Sequence, residues 1–141
     1  MPSGWSRGRP ARVERRLISS DSPFEPVIGF SRALAAGNHI YVSGTAPIMP
    51  GQAEPPGDAY GQARRVLEII LAALEEGGAS ASDVVRTRTY LVREGDYPEV
   101  ARAHGEVFGG VRPASTFVVV RALLDPRWLV EMEADAVVDP P

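Results

Sequence analysis

From Trp128 to Val138 the chain alternates. Trp128, Val130, Met132, Ala134, Ala136 and Val138 fall on one side of an extended backbone, and Glu131, Glu133 and Asp135 on the other. Side chains of a strand point to opposite faces with a period of two, so this segment is a strand with one buried and one polar face. Only two segments have the helical spacing needed to cover the buried face. In the first, Tyr60, Ala63, Leu67, Ile70 and Leu74 recur every three or four residues, with Asp58 placed to cap the start and Gly77-Gly78 to end it. In the second, Val100, His104, Val107 and Phe108 share a face. Asp96-Tyr97-Pro98-Glu99 is placed as its capping box, and Gly109-Gly110 closes it. Two helices cover one face of such a sheet. The other face is left to water or to another subunit.

The remaining segments supply more strands. Residues 17–24 read as an opening strand and turn. Residues 27–34 read as a short strand, and Ala36-Gly37-Asn38 as the turn that pairs it with His39-Ile40-Tyr41-Val42-Ser43 in a hairpin. Residues 46–58, with Pro47, Pro50, Gly51, Pro55, Pro56 and Gly57, are a loop. Val84 to Val92 alternates, with Arg86 and Arg88 on one parity. Residues 115–122 are nearly all apolar, which predicts a buried strand. The expected order is β-β-α-β-α-β-β: an α+β protein with one mixed β-sheet and two helices packed on one face. With 141 residues there is room for one core, so residues 17–141 are expected to form a single domain.

Composition removes several chemistries. There is no cysteine, hence no disulfide, thiol nucleophile or iron–sulfur centre. All 15 basic residues are arginine, so neither a lysine Schiff base nor a P-loop lysine is available. With His39 and His104 the only histidines, no metal site is expected. Residues 1–16 hold Arg7, Arg9, Arg12, Arg15 and Arg16 against Glu14 alone. That local balance of +4, within a net charge of −3, leaves −7 for the rest. The stretch reads as a basic, disordered N-terminal extension without the apolar run of a secretory signal. No apolar run approaches membrane-spanning length. No membrane or nucleic-acid partner is expected, and the cytoplasm is the expected location.

Candidate site chemistry is sparse. Glu131 and Glu133 point the same way from one strand, and a pocket that raised one carboxyl's pKa would make it a general base. The other reading is a pair of surface or ion-paired carboxylates. Opposite charges on the open face, Arg86 and Arg88 against Glu131, Glu133 and Asp135, are placed to pair across strands. Arg112 has the planar fork that clamps carboxylates, unless it is simply a solvated loop arginine. Ser43-Gly44-Thr45 ends a strand with exposed amides and hydroxyls. His104, on an apolar helix face, reads as a half-buried, hydrogen-bonded histidine. Ser115 has no visible triad to make it a nucleophile.

Several stretches together resemble one family. They are Gly29-Phe30-Ser31-Arg32-Ala33, Ala36-Gly37-Asn38 and Tyr41-Val42-Ser43-Gly44-Thr45, then Gln62-Ala63-Arg64-Arg65-Val66-Leu67-Glu68, Gly78-Ala79-Ser80 and Asp83-Val84-Val85-Arg86-Thr87, and finally Arg112-Pro113-Ala114-Ser115-Thr116 and Val130-Glu131-Met132-Glu133-Ala134. From about Val27 to Val138 their order and spacing resemble the Rid (reactive intermediate deaminase, YjgF-type) family, called L-PSP endoribonuclease-like in older naming. The resemblance implies a chorismate-mutase-like fold and a homotrimer whose sheets face inward, with clefts between subunits. It implies hydrolysis of enamine or imine intermediates to a 2-keto acid and ammonia, without a cofactor.

Carried over by position, Glu131 matches the Glu that places the water, and Ser43 and Gly44 match the cleft wall, with Thr45 following. Phe30 stands where the family usually has Tyr. Ser115 stands where the family has the Arg that grips the substrate carboxylate. Bonds to a charged group are worth roughly 1.5–3 kcal/mol, so that exchange is a large loss. Arg112, three residues earlier, and Arg32, beside Phe30, are the candidates to replace it. Three functions follow: a cofactor-free hydrolase acting through Glu131, a non-catalytic trimer that binds a small metabolite, and an endoribonuclease. The acidic balance of residues 17–141 is the wrong sign for the last.

Overall fold

The computed structural model describes residues 12–20 and 22–139. Arg7 and Arg9 lie outside them. Eight regular elements follow in order: β1 (Arg15–Ile18), β2 (Ala33–Ala36), β3 (His39–Thr45), α1 (Ala59–Glu76), β4 (Val84–Leu91), α2 (Tyr97–Phe108), β5 (Ala114–Val119) and β6 (Val130–Val137). They form one six-stranded mixed sheet of order β1-β2-β3-β6-β4-β5, antiparallel except for the β4/β5 pair. This is the α+β fold expected from the sequence, with one strand more than the expected order: the opening strand read in 17–24 lies at Arg15–Ile18. Arg15 and Arg16, grouped by charge with the N-terminal extension, open β1 and pair with Ala36 and Ala35.

The core lies between the sheet and the helices. β6 carries the alternation read from the sequence: Val130, Met132, Ala134 and Ala136 are buried, and the residues between them are half-exposed. Val66, Leu67, Ile70 and Leu74 of α1 and Val100, Ala103 and Phe108 of α2 pack on them. Burying each large apolar side chain is worth roughly 1.5–3 kcal/mol. Asp58 caps α1, its carboxylate accepting from Gly61 N at 2.9 Å. Asp96 does not cap α2, because its carboxylate is held by Arg93 at 2.9 and 3.2 Å.

Two expectations are corrected. Residues 27–34 are not a single strand. A π-helical turn over Glu25–Gly29, closed by Gly29 at φ 91°, carries the chain to a shorter β2. Nor is the apolar 115–122 segment a buried strand. β5 is a sheet edge paired only with β4, and Val118 and Val119 are 41% and 54% exposed.

The sheet face away from the helices presents Glu131, Glu133 and Asp135 beside Tyr90, Arg88 and Arg86. Of the two arginines expected to pair across strands, Arg88 does so. Arg88 reaches Glu133 at 2.8 Å and Asp135 at 3.7 Å, and Tyr90 Oη donates to Glu133 at 2.9 Å. These side chains are partly exposed, so each pair is worth no more than about 1 kcal/mol. Leu17 and Tyr41, aligned with Asp135 through the register, leave apolar surface uncovered on this face.

Candidate active site

The end of β3 is where the sheet stops being regular. Between Val42 and Thr45 the register with β6 shifts, a bulge that turns Thr45 to the helix side and leaves Gly44 facing Glu131. Arg32 braces the bulge. Its Nη1 donates to the Gly44 carbonyl and to Thr45 Oγ1, both at 2.7 Å. Ser43 Oγ donates to the Ser31 carbonyl at 2.7 Å, and Thr45 Oγ1 donates to the Ser43 carbonyl at 2.8 Å. Every hydroxyl of Ser43-Gly44-Thr45 is therefore engaged locally. Arg32 also lies over the Phe30 ring, 5.3 Å from its centroid, a cation–π contact that fixes both groups.

Against this corner lies a cavity of about 320 Å³, at the lower end of the range for small-molecule sites. Phe30, Arg32, Ser43, Gly44 and Glu131 line it together. Five residues expected at the site thus meet. Trp128 and Leu124 form the rest of the wall with Ser22, Phe24 and Ile28. Trp128 is buried and meets Phe24 edge-on, with ring centroids 5.9 Å apart. Its loop is held by Gln62. The Gln62 amide donates to the Pro56 and Arg127 carbonyls, each at 2.9 Å, and accepts from Leu129 N at 2.7 Å. One buried side chain of α1 therefore sets two loops beside the cavity.

Glu131 is the carboxylate that lines this cavity. Its carboxylate packs directly against Gly44, where a Cβ would overlap it. Burial lifts its carboxyl pKa, Arg32 draws it back down, and the Glu133 charge lifts it again. The Arg32 guanidinium shows the converse: burial lowers its pKa, while Glu25 and Glu131 favour its charge. A carboxylate raised toward neutrality by desolvation can take a proton from water. Among the described residues no cluster of three or more His, Asp or Glu side chains is arranged to hold a metal ion.

The remaining expected residues lie elsewhere in the chain. Thr45 is buried below the bulge, outside the Glu131 cavity. Arg112 is exposed after α2, its backbone at φ 59° and its N–H bound to the Phe108 carbonyl. Ser115 lies on β5. Its Oγ accepts from Thr87 Oγ1 at 2.9 Å, and the same Thr87 oxygen contacts His104 Nε2 at 2.8 Å. His104 is thus half-buried and hydrogen-bonded, as expected, and burial lowers its pKa. Thr87 is paired with Ala134 on the helix side, so Ser115 shares that face. Two strand spacings and three residues separate it from Glu131, about 14 Å. Within one chain neither Arg112 nor Ser115 reaches Glu131.

Comparison with known proteins agrees with this geometry. The family model described as Endoribonuclease L-PSP matches residues 20–138. An uncharacterized protein of Streptomyces coelicolor is 38% identical over 121 residues, 86% of this chain and 90% of that one. The 3-aminoacrylate deaminase RutC of Acinetobacter baylyi is 33% identical over 125 residues, 88% of this chain and 98% of that one. The crystal structure of Rv2704 from Mycobacterium tuberculosis, a member of the YjgF/YER057c/UK114 family, superimposes with a TM-score of 0.81 at 40% identity. It covers 89% of this chain and 100% of that one. With its mixed sheet, two helices and Glu131 beside the β3 bulge, this chain belongs to the Rid/YjgF family.

Proposed function

We propose that the protein hydrolyses a small enamine or imine without a cofactor, in the cavity that holds Glu131. The observation that carries this reading is the half-buried Glu131 carboxylate, lodged against Gly44 and raised in pKa. The relative named 3-aminoacrylate deaminase supports it, since an aminoacrylate is an enamine. In the proposed step an enamine takes a proton from solvent at carbon to become an iminium. Water adds to the iminium carbon and gives a proton to Glu131. Glu131 returns that proton to the nitrogen, the C–N bond breaks with loss of ammonia, and the hydroxyl proton returns to solvent. One substrate and one water become one carbonyl compound and one ammonia.

The setting of the arginines favours a second reading. Arg32 spends Nη1 on the bulge, and Arg112 and Ser115 stand on other parts of the chain. A cavity whose lining arginine is partly committed to its own wall suits a ligand that is bound and not turned over, or one with no carboxylate. An endoribonuclease is the third reading, and the acidic balance outside the first 16 residues opposes it.

The assembly belongs to the same proposal. Three copies with their open faces inward would cover Leu17 and Tyr41, which are 64% and 43% exposed in one chain. They would bring Arg112 and Ser115 of one copy toward Glu131 of the next. Sedimentation equilibrium tests this, with a trimer expected and a monomer contradicting it. We place the protein in the cytoplasm. No helix among the described residues is long and apolar enough to cross a membrane.

The test of function is keto-acid release from freshly generated 2-iminopropanoate and 2-iminobutanoate, wild type beside Ser115→Arg. Release faster than in buffer by the wild type supports hydrolysis. Activity confined to Ser115→Arg assigns the natural site another ligand. Inactivity of both proteins favours the binding reading.

A further inference from the structure

A second cavity, of about 240 Å³, lies between α1 and the loops that follow β1 and β3. None of the chemistry above uses it. Ile18, Ala46 and Ala73 line its buried part, and Ile48, Met49 and Ile69 its sides. Its polar wall is Arg32, which is 4% exposed and whose Nε–H has no acceptor among the described residues. Arg65 stands at the side, its guanidinium fixed by a 2.8 Å bond from Nε to the Ile48 carbonyl, with Nη1 3.6 Å from the Glu68 carboxylate. The acidic groups of the lining are Glu68 and Glu76, both exposed, where water weakens their repulsion of an anion. Buried Glu25 offsets part of the Arg32 charge, but its carboxylate accepts from Ser20 N at 3.0 Å and from Ser20 Oγ.

We propose that this cavity is a second ligand site, separate from the Glu131 cavity, for a short unbranched aliphatic carboxylate. The carboxylate accepts from Arg32 and Arg65, and the tail lies on Ile18, Ala46, Ile69 and Ala73. At the ~30 Å³ that a water takes in the liquid, the volume holds roughly eight non-hydrogen atoms. Pentanoate, with seven, is the matching probe. Arg32 lines both cavities, so the two sites share one side chain.

The full chain is titrated with sodium pentanoate, with 1-pentanol and sodium chloride as comparators, and followed by calorimetry and by isoleucine methyl NMR. Saturable millimolar binding of pentanoate alone is expected, with shifts at Ile18, Ile48 and Ile69. Ala72→Trp, which fills the mouth from an exposed helical position, is expected to weaken binding by about tenfold or more. Gly57→Ala, outside both cavities, is expected to leave it within about twofold. Three results each overturn the proposal: no saturable binding at tens of millimolar, equal binding of pentanol, or binding that survives Ala72→Trp. The methyl shifts are read on the wild-type chain, so they decide the matter even if Ala72→Trp folds poorly.

Discussion

Replacing Gly44 with alanine adds one methyl group at the point where the cavity wall meets the Glu131 carboxylate. Gly44 does not have a positive φ, so the alanine backbone is unstrained and the effect is steric. The new Cβ would overlap Glu131 Oε2 and lie 3.3 Å from its Cδ. Restoring an ordinary contact of about 3.5 Å or more requires the carboxylate to move by about 1 Å. The carboxylate ends a flexible side chain, so the stability cost is at the low end for overpacking, about 1 kcal/mol. For a chain of this length that is a fall in Tm of about 4 °C. Activity is far more sensitive, since a displacement of about 1 Å in a catalytic group costs on the order of 100-fold. The assay is ammonia release from an enamine substrate beside a melting curve. Gly57→Ala, whose Cβ meets nothing, serves as control. In a Glu131→Ala background the methyl has room, and the Tm penalty of Gly44→Ala is expected to vanish. An equal penalty in both backgrounds, or wild-type activity in Gly44→Ala, refutes the steric account.

Other outcomes follow from the same contacts. Glu131 has a carboxyl pKa raised by burial, so its ionisation opposes folding. Glu131→Gln is expected to raise Tm at neutral pH, with the gain disappearing as pH falls below the usual carboxylate range; denaturation across pH checks this. His104 is the opposite case. Its lowered pKa means that the unfolded chain takes up the proton first, so wild-type stability is expected to fall as pH drops below about 6.5. His104→Gln is expected to flatten that slope. Gln62→Leu leaves Leu129 N–H and two carbonyls without their partner and is expected to cost about 1–3 kcal/mol or more. Trp128 fluorescence is expected to shift with it, and an unchanged spectrum and Tm would contradict its role in placing that loop.

How much of this could be read in the sequence varies by element. β6 and α1 were legible because each states one period over many residues and has clear ends. Asp58 and Gly77 stand where a cap and a stop are needed. The 25–36 region was not legible. Val27 and Ile28 look like strand residues, but Pro26 and the positive φ of Gly29 turn the chain first, and both side chains end exposed. β5 misled for a different reason. An apolar run signals burial without saying by what, and β5 is an edge within one chain. At the site, Glu131, Phe30, Arg32, Ser43 and Gly44 were legible through motif order. Trp128 was read only as a core residue, and Leu124 gave no signal. Their place in the cavity depends on the loop clamp made by Gln62, a contact 65 residues apart in sequence. Thr45 was misplaced because a one-residue bulge reverses which face a side chain takes.

The central claim is that Glu131 activates water in this cavity. It is tested most directly by the rate of ammonia release from 2-iminobutanoate, wild type against Glu131→Gln, at neutral pH. The glutamine keeps the size of the side chain and removes its capacity as a base. General-base catalysis contributes typically 10²–10⁴-fold, so a loss of about 100-fold or more with an unchanged or higher Tm is predicted. An active wild type whose rate survives Glu131→Gln would contradict the claim and move the chemistry to another group.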